Sequence, residues 1–210
     1  DDHGGSTVVP LAAGERRVTV DSLYVITGGG ATPTGGIGPV ELTAATSKDG
    51  QVRVGIFEDV SGGLGPSWRA GVWTASLIAA DVLGKDLTDL TFTAAASGRV
   101  DGASASGLMT AGYLAALLGH DVATDATMTG IMNPDGTIGP VGGIPQKFEA
   151  AIAKGKKRLG YPIGMRMATD IVTGEEVDLV ELAKAHGAEA IEIADVYAAV
   201  TLLTGKTLPR

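Results

Sequence analysis

Two short segments constrain this chain most, because each places a reactive side chain where a regular element begins. Ser104 follows Asp101, Gly102 and Ala103, at a point where the pattern predicts that a strand turns into a helix. Lys147 follows two glycines, where the pattern predicts the start of a second helix. A helix start presents backbone N–H groups that have no partner within the helix. An oxyanion formed beside the serine would therefore meet backbone donors.

The composition leaves a serine nucleophile with an unusual base. The chain has no cysteine and only three histidines, and Ile144 and Phe148 are apolar neighbours of the lysine. A lysine accepts a proton only when it is neutral, so its ordinary pKa of about 10.4 must fall toward the working pH. Burial can lower this pKa by roughly 3–5 units. We therefore predict that Lys147 activates Ser104 for acyl transfer through a serine ester, with Thr129 on a strand that faces both.

Each of these residues also has an ordinary structural interpretation. Ser104 could cap a helix, which is the commonest reason for a serine at such a position. Lys147 could be a solvated helix lysine, and Thr129 an unremarkable strand residue. Taken one residue at a time, the sequence leaves these alternatives open.

The histidines offer weaker alternatives. His120 precedes Asp121 and suggests a triad, but it follows the predicted helix that Ser104 begins. At 1.5 Å per residue the two ends of that helix lie roughly 20 Å apart. His3 and His186 show no ligand spacing, so the sequence predicts no metal site.

Three motifs in this order resemble the proteolytic domain of the Lon proteases, the Ser-Lys dyad peptidases. The resemblance covers residues 90–203 well and the first 90 residues loosely, and its Ser-Ala-Ser stretch is closer to the archaeal type than to the bacterial one. The motifs are a nucleophile segment, an M-T-G strand and a glycine-rich segment that ends in lysine: Asp101 to Ser106; Met128, Thr129 and Gly130; Pro140, Gly142, Gly143, Ile144 and Lys147.

The chain departs from the family pattern at two acidic positions. The archaeal type has an aspartate before the serine, where this chain has Ala103. The bacterial type has an acidic residue after M-T-G, where this chain has Ile131. Asp101 is the nearest remaining carboxylate.

The resemblance implies roles for six residues. Ser104 and Lys147 would be catalytic, and Thr129 would position the lysine amine by a hydrogen bond. The supporting residues of the nucleophile turn would be Asp101, Gly102 and Ala103. The resemblance implies no cofactor and no metal, and it implies self-association into a ring.

The expected substrate is an unfolded or flexible polypeptide. Full-length Lon enzymes carry an ATPase module, but this sequence contains no Gly-x-x-x-x-Gly-Lys-Ser/Thr motif. We therefore expect an ATP-independent serine endopeptidase. Two other hypotheses stay open: a catalytically inactive Lon-like scaffold or binding module, and a small-molecule or phosphate-binding protein that uses the glycine-rich segments 28–38 and 61–66. These segments could also flank a substrate cleft.

The length and net charge of the chain limit the number of domains and the classes of binding partner. A chain of 210 residues fits one domain, and we predict a flexible lead-in over 1–15 and a single Lon-like domain over 16–210. The net charge of −8 argues against nucleic acid and against an anionic membrane surface. The chain begins at Asp1 rather than Met, so we expect that a segment stood upstream, which favours an extracytoplasmic location over a cytoplasmic one.

Local patterns predict an α+β (mixed α/β) fold of small sheets, hairpins and packed helices. The predicted hairpins are 40–46 with 52–58, around an Asp-Gly turn, and 126–132 with 137–141. The other predicted strands are 17–27, 90–96, 158–162 and 190–193. The predicted helices are 67–83 (capped by Ser67), 104–118, 145–154, 177–186 and one that begins after a capping Asp195.

Overall fold

The computed structural model describes residues 10–28 and 30–210, which form five α-helices and eleven β-strands in an α+β arrangement. The predicted fold class is confirmed. Most of the predicted lead-in, residues 1–9, lies outside the described residues. Residues 10–15 have no regular structure, but the Ala12 N–H donates a hydrogen bond of 2.7 Å to the Leu117 carbonyl.

The elements alternate along the chain. The helices are α1 Pro66–Val82, α2 Ser106–Leu118, α3 Ile144–Ala153, α4 Leu179–Ala185 and α5 Val196–Thr204. The strands are β1 Arg16–Ile26, β2 Thr34–Thr46, β3 Arg53–Glu58, β4 Leu90–Ala96, β5 Ala126–Met128, β6 Ile131–Met132, β7 Ile138–Gly139, β8 Arg158–Pro162, β9 Met167–Thr169, β10 Glu176–Asp178 and β11 Glu189–Ile193. In the described part of the chain, no helix has the length and apolar character that a bilayer crossing requires.

The first predicted hairpin is wrong, although both of its strands exist. The four-stranded sheet has the order β1-β2-β4-β3, so β4 lies between β2 and β3. β2 pairs with β4 in antiparallel fashion, whereas β3 pairs with β4 in parallel. A parallel pair needs a crossover connection, and α1 provides it between β3 and β4. The Asp49-Gly50 turn forms locally, since Asp49 Oδ1 accepts from the Gln51 N–H at 3.0 Å, but it does not join two paired strands.

The second predicted hairpin is half right. β6 and β7 pair in antiparallel fashion around the Asn133–Gly136 turn. β5 instead joins a parallel sheet of order β11-β8-β5. The chain changes partners at Thr129 and Gly130, which belong to no strand. This break between β5 and β6 brings Thr129 next to the start of α2.

Helix α2 is the centre of the larger core. Every residue from Ser106 to Leu117 is buried, and the helix packs against α1, α5 and the strands β1 and β2. Tyr113 of α2 meets Phe92 of β4 edge to face, with ring centroids 4.8 Å apart. A smaller cluster forms around α3 and α4, where Ile144 and Phe148 are buried against the side chains of Leu23, Leu159 and Leu179. The fold therefore has two neighbouring hydrophobic clusters.

The starts of α2, α1 and α5 can be compared with the three predicted helix caps. Helix α2 begins at Ser106, so Ser104 lies in the preceding turn and caps nothing. The N-cap position of α1 is Gly65 rather than the predicted Ser67. The N-terminus of α1 is capped from another segment, by the carboxylate of Asp101. Asp195 is confirmed as a cap, because its side chain accepts from the Ala198 N–H at 2.9 Å.

Gly35 of β2 allows the closest approach between the large sheet and α3. A Cβ at this position would lie 1.8 Å from the backbone oxygen of Gln146. At Gly35 the backbone of the first turn of α3 therefore lies directly against the backbone of the sheet. A Cβ at Gly38, in the same strand, would meet only Tyr24 at an ordinary contact distance of 3.5 Å.

We expect Gly35→Ala to destabilise the fold by about 3 kcal/mol or more, because overpacking against backbone forces the helix away. Gly38→Ala is the matched control and should change the free energy of unfolding by less than about 1 kcal/mol. Urea denaturation of both variants measures this difference. Equal stabilities would show that α3 does not rest on the Gly35 backbone.

Candidate active site

The turn that carries Ser104 lies between β4 and α2. Ser104 is half-buried, and its carbonyl accepts the Gly130 N–H at 2.8 Å. Gly102 has φ +100°, a conformation that favours glycine. Ala103 is half-buried, and its carbonyl accepts from Ser106, both from the N–H at 2.9 Å and from the hydroxyl at 2.7 Å. The turn is therefore held by hydrogen bonds on both sides of the serine.

Ser106 is a positioning residue that sequence reasoning missed. Its hydroxyl is buried, donates to the Ala103 carbonyl and accepts the Met132 N–H at 2.8 Å. One side chain thus ties the serine turn to β6. The sequence signal was a second serine, two residues after the first, at the true start of the helix.

Lys147 enters the site from the first turn of α3. Its side chain is only 4% exposed, and its Nζ lies 3.3 Å from Ser104 Oγ and 3.2 Å from Thr129 Oγ1. Within residues 10–28 and 30–210 the amine has no ion pair with a carboxylate. Burial lowers the pKa of Lys147 from 10.5 to about 8. An amine with this pKa is partly neutral near neutral pH and can accept a proton.

Thr129 holds the other side of the amine. It is fully buried, and its own N–H donates to the Gly160 carbonyl at 3.1 Å, which anchors it beside β8. Its hydroxyl lies 3.4 Å from the Ser104 carbonyl, the acceptor for its proton. The hydroxyl oxygen is then free to accept from the lysine amine. The structure thus brings Ser104, Thr129 and Lys147 within hydrogen-bond distance of one another.

Asp101 has a structural contact that the sequence did not reveal. Its Oδ1 accepts the Gly102 N–H at 2.8 Å and the Trp68 N–H at 3.1 Å. These hydrogen bonds lower the pKa of the Asp101 carboxyl, and the bond from Gly102 has the larger effect. Trp68 lies in the first turn of α1, so the carboxylate caps that helix from another segment. Asp101 supports the site by fixing the serine turn to α1.

A half-open pocket of about 230 Å³ exposes the serine and lysine. Its wall consists of Tyr24, Val25, Arg99, Val100, Asp101, Ser104 and Lys147. Among the described residues, no acceptor pairs with the N–H groups of Ala103 and Ser104. These two donors adjoin the serine hydroxyl and could stabilise an oxyanion there. The larger hollows, which lie near α5, at the end of β3, beside α3 and beside β2, contain neither the serine nor the lysine.

The histidine alternatives do not reach this pocket. His120 follows the far end of α2, where its N–H donates to the Ala115 carbonyl at 2.8 Å. His186 is exposed at the end of α4, with Nδ1 2.9 Å from the Leu182 carbonyl oxygen. His3 lies outside the described residues. Among the residues that the structure describes, no cluster of three or more acidic or imidazole side chains could hold a metal ion.

Comparisons with known proteins point to one family. Residues 75–173 match the model of the Lon protease (S16) C-terminal proteolytic domain. A Lon protease from Desulfovibrio desulfuricans is 42% identical over 62 residues, 30% of this chain and 7% of the relative. A mitochondrial Lon protease homolog from Caenorhabditis elegans is 32% identical over 133 residues, 59% of this chain and 13% of the relative. An archaeal Lon protease from Halobacterium salinarum is 32% identical over 107 residues, 51% of this chain and 15% of the relative.

The matched region contains all three motif segments, including Ser104, Thr129 and Lys147. It starts earlier and ends earlier than the predicted range of 90–203. The match, the relatives and the α+β architecture fit the proteolytic domain of a Lon protease, the resemblance that the motifs predict. The chain spans between 7% and 19% of the length of the curated relatives it matches.

Lys147→Met should stabilise the fold at pH 7, because it removes a buried amine that is mostly charged there. Below pH 8 Lys147 is protonated in both the folded and the unfolded chain, so the folded state bears the full free-energy cost of burying the charged amine. Between pH 8 and 10.5 the unfolded state holds more protons, so the wild type gains stability as pH rises. The advantage of Lys147→Met should be at most about 3 kcal/mol at pH 7 and should shrink through this window.

Urea denaturation at pH 7 and pH 10 measures both effects. Lys157→Met, at an exposed lysine, is the control and should show no such pH-dependent advantage. A Lys147→Met variant that is less stable than the wild type at pH 7 would contradict the burial penalty.

Proposed function

We propose that this chain is a serine endopeptidase in which Ser104 is the nucleophile and Lys147 the general base. The observation that carries this proposal is the contact of 3.3 Å between Lys147 Nζ and Ser104 Oγ, made by an almost fully buried amine. A surface lysine on a helix would instead point to water and keep its ordinary pKa. The similarity to Lon proteases adds the peptidase class.

The proposed reaction proceeds in two acyl-transfer steps. Neutral Lys147 accepts the Oγ proton while Ser104 Oγ bonds to the peptide carbonyl carbon, and the developing oxyanion meets the N–H groups of Ala103 and Ser104. The lysine ammonium then gives its proton to the leaving amine as the C–N bond breaks. In the second step water loses a proton to the lysine and attacks the ester. Collapse of that intermediate returns the proton to Oγ and releases the carboxylic acid product.

Thr129 would direct the amine in both steps. Its hydroxyl accepts from Nζ at 3.2 Å, so the amine is held toward Ser104 without a charged partner. A carboxylate in this place would raise the pKa of the lysine and keep it protonated. A neutral hydroxyl positions the base and leaves it basic but uncharged.

The proposed substrates are unfolded or flexible polypeptides, which the chain would cleave without ATP. The serine pocket holds only about 230 Å³, so only an extended segment reaches the nucleophile. The sequence contains no phosphate-binding lysine motif that could drive unfolding. Assembly of several copies into a ring belongs to this proposal through the family resemblance.

Hydrolysis of a fluorescently labelled, permanently unfolded protein without ATP tests the proposal. Wild type should cleave it, and Ser104→Ala and Lys147→Ala should each lose at least about a thousandfold in kcat/KM. The activity should rise with pH through about 8, because the neutral amine is the working form.

His120→Asn is the matched control and should keep full activity. A profile that rises near pH 6 to 7 and activity lost in His120→Asn would point to a histidine base. If folded wild type, Ser104→Ala and Lys147→Ala are all inactive and a serine-directed acylating probe labels none of them, the chain is a non-catalytic scaffold.

Thr129→Val should lower kcat by about tenfold to a hundredfold with little change in KM, since it removes the hydroxyl but keeps the shape. The alkaline pKa in the rate profile should also fall, because the protonated amine loses a hydrogen-bond acceptor. Thr129→Ser should restore both values. A loss of activity without any shift of the profile would mean that Thr129 acts only in packing.

A further inference from the structure

Arg99 is a cation of the serine pocket that the proposed mechanism does not use. It lies three residues after the last residue of β4, in the segment that leads to Asp101, and its side chain is exposed. It lines the same hollow as Ser104 and Lys147. The family motifs that the sequence carries do not include it.

Arg99 differs from the other arginines in its pairing. In residues 10–28 and 30–210, each of the seven others lies within 4.0 Å of a carboxylate, and Arg99 makes neither an ion pair nor a hydrogen bond. The seven pairs are Arg16–Asp121, Arg17–Glu41, Arg53–Asp49, Arg69–Glu58, Arg158–Asp125, Arg166–Asp178 and Arg210–Asp195. In a chain of net charge −8, an arginine without a carboxylate is the exception.

The nearest acidic residues along the chain bind backbone groups instead. Asp59 accepts the Gly98 N–H at 2.8 Å, directly beside Arg99. Asp101 accepts the N–H groups of Gly102 and Trp68. Both carboxylates thus fix the backbone on either side of the arginine. The guanidinium keeps its donors for another partner.

The protonation state of Lys147 in the proposed mechanism makes the positive charge of Arg99 important for the pocket. The base must be neutral when it accepts the serine proton. Of the residues that line the described pocket, Arg99 then carries the one positive charge and Asp101 the one negative charge. The N–H groups of Gly102 and Trp68 already bind Asp101 Oδ1, whereas the guanidinium has no partner among the described residues. A guanidinium offers two parallel N–H donors that match a carboxylate.

We infer that Arg99 binds the carboxylate of an acidic substrate residue, Asp or Glu, next to the scissile bond. The site would therefore prefer acidic cleavage positions in unfolded chains. This inference rests on the proposed function, because it names the substrate class of the same nucleophile. The position beside the bond follows from the shared pocket, in which Arg99 and Ser104 line one hollow of about 230 Å³.

The test begins with cleavage sites in an unfolded protein, mapped by mass spectrometry. An internally quenched peptide that spans a strong site is then made with Glu, Gln or Lys at each position beside the bond. All peptides carry an acetylated N-terminus and an amidated C-terminus, so the test side chain is the only variable carboxylate. Wild type should favour Glu over Gln in kcat/KM by about tenfold, the size expected of one charge-assisted hydrogen bond in a partly open pocket.

The arginine variants decide where the preference comes from. Arg99→Gln should bring the Glu-to-Gln ratio to about one while it retains hydrolysis of the Gln peptide. Arg99→Glu should favour the Lys peptide instead. Arg53→Gln removes an exposed arginine at the far end of β3 and should keep the wild-type ratio. Added salt should reduce the ratio in wild type only.

The experiment distinguishes a failure of this inference from a failure of the proposed function. Ser104-dependent hydrolysis with a Glu-to-Gln ratio near one in wild type, or a ratio that survives Arg99→Gln, would overturn this inference and leave the proposed function standing. Hydrolysis that is absent, or unchanged in Ser104→Ala, would overturn both.

Discussion

A buried amine without a charged partner is the constraint on which the site depends. A lysine that loses its water normally gains a carboxylate, because an unpaired buried charge is costly. Here Lys147 meets only the hydroxyls of Ser104 and Thr129 within the described residues. The fold tolerates this because the amine can lose its proton. The burial that weakens the folded state at neutral pH also lowers the pKa of the amine, which its proposed role as a base requires.

Contacts with backbone groups help to place the three side chains. The serine turn is held by the Gly130 N–H and by the hydroxyl of Ser106, and the lysine helix rests on the backbone of Gly35. Asp101 joins the turn to α1 through two N–H groups. Such contacts leave little freedom, so atoms of three separate segments, at Ser104, Thr129 and Lys147, lie within hydrogen-bond distance of one another. This rigidity favours a reaction that needs fixed donors.

Motif spacing predicted which residues lie together in the candidate site better than local patterns predicted the pairing of the strands. The nucleophile turn, the lysine helix and Thr129 all follow local signals: small residues, glycines and apolar neighbours. The pairing of β4 between β2 and β3 could not be predicted, because an Asp-Gly turn favours a hairpin locally and the crossover through α1 decides otherwise. Ser106 and Asp101 depend on contacts with β6 and α1, distant in the chain, so their positioning roles appear only in three dimensions.

The neighbours of Ser104 and of Lys147 belong to different hydrophobic clusters, so partial unfolding can separate the two residues. Ala105, next to the serine, packs in the cluster around α2, whereas the neighbours of the lysine, Ile144 and Phe148, pack in the smaller cluster around α3 and α4. Parts of a protein can open separately from its global unfolding. Opening of the smaller cluster alone would remove Lys147, the proposed base, while Ser104, the proposed nucleophile, stays in place. A loss of the proposed activity at a temperature below that of global unfolding would therefore report the stability of the smaller cluster.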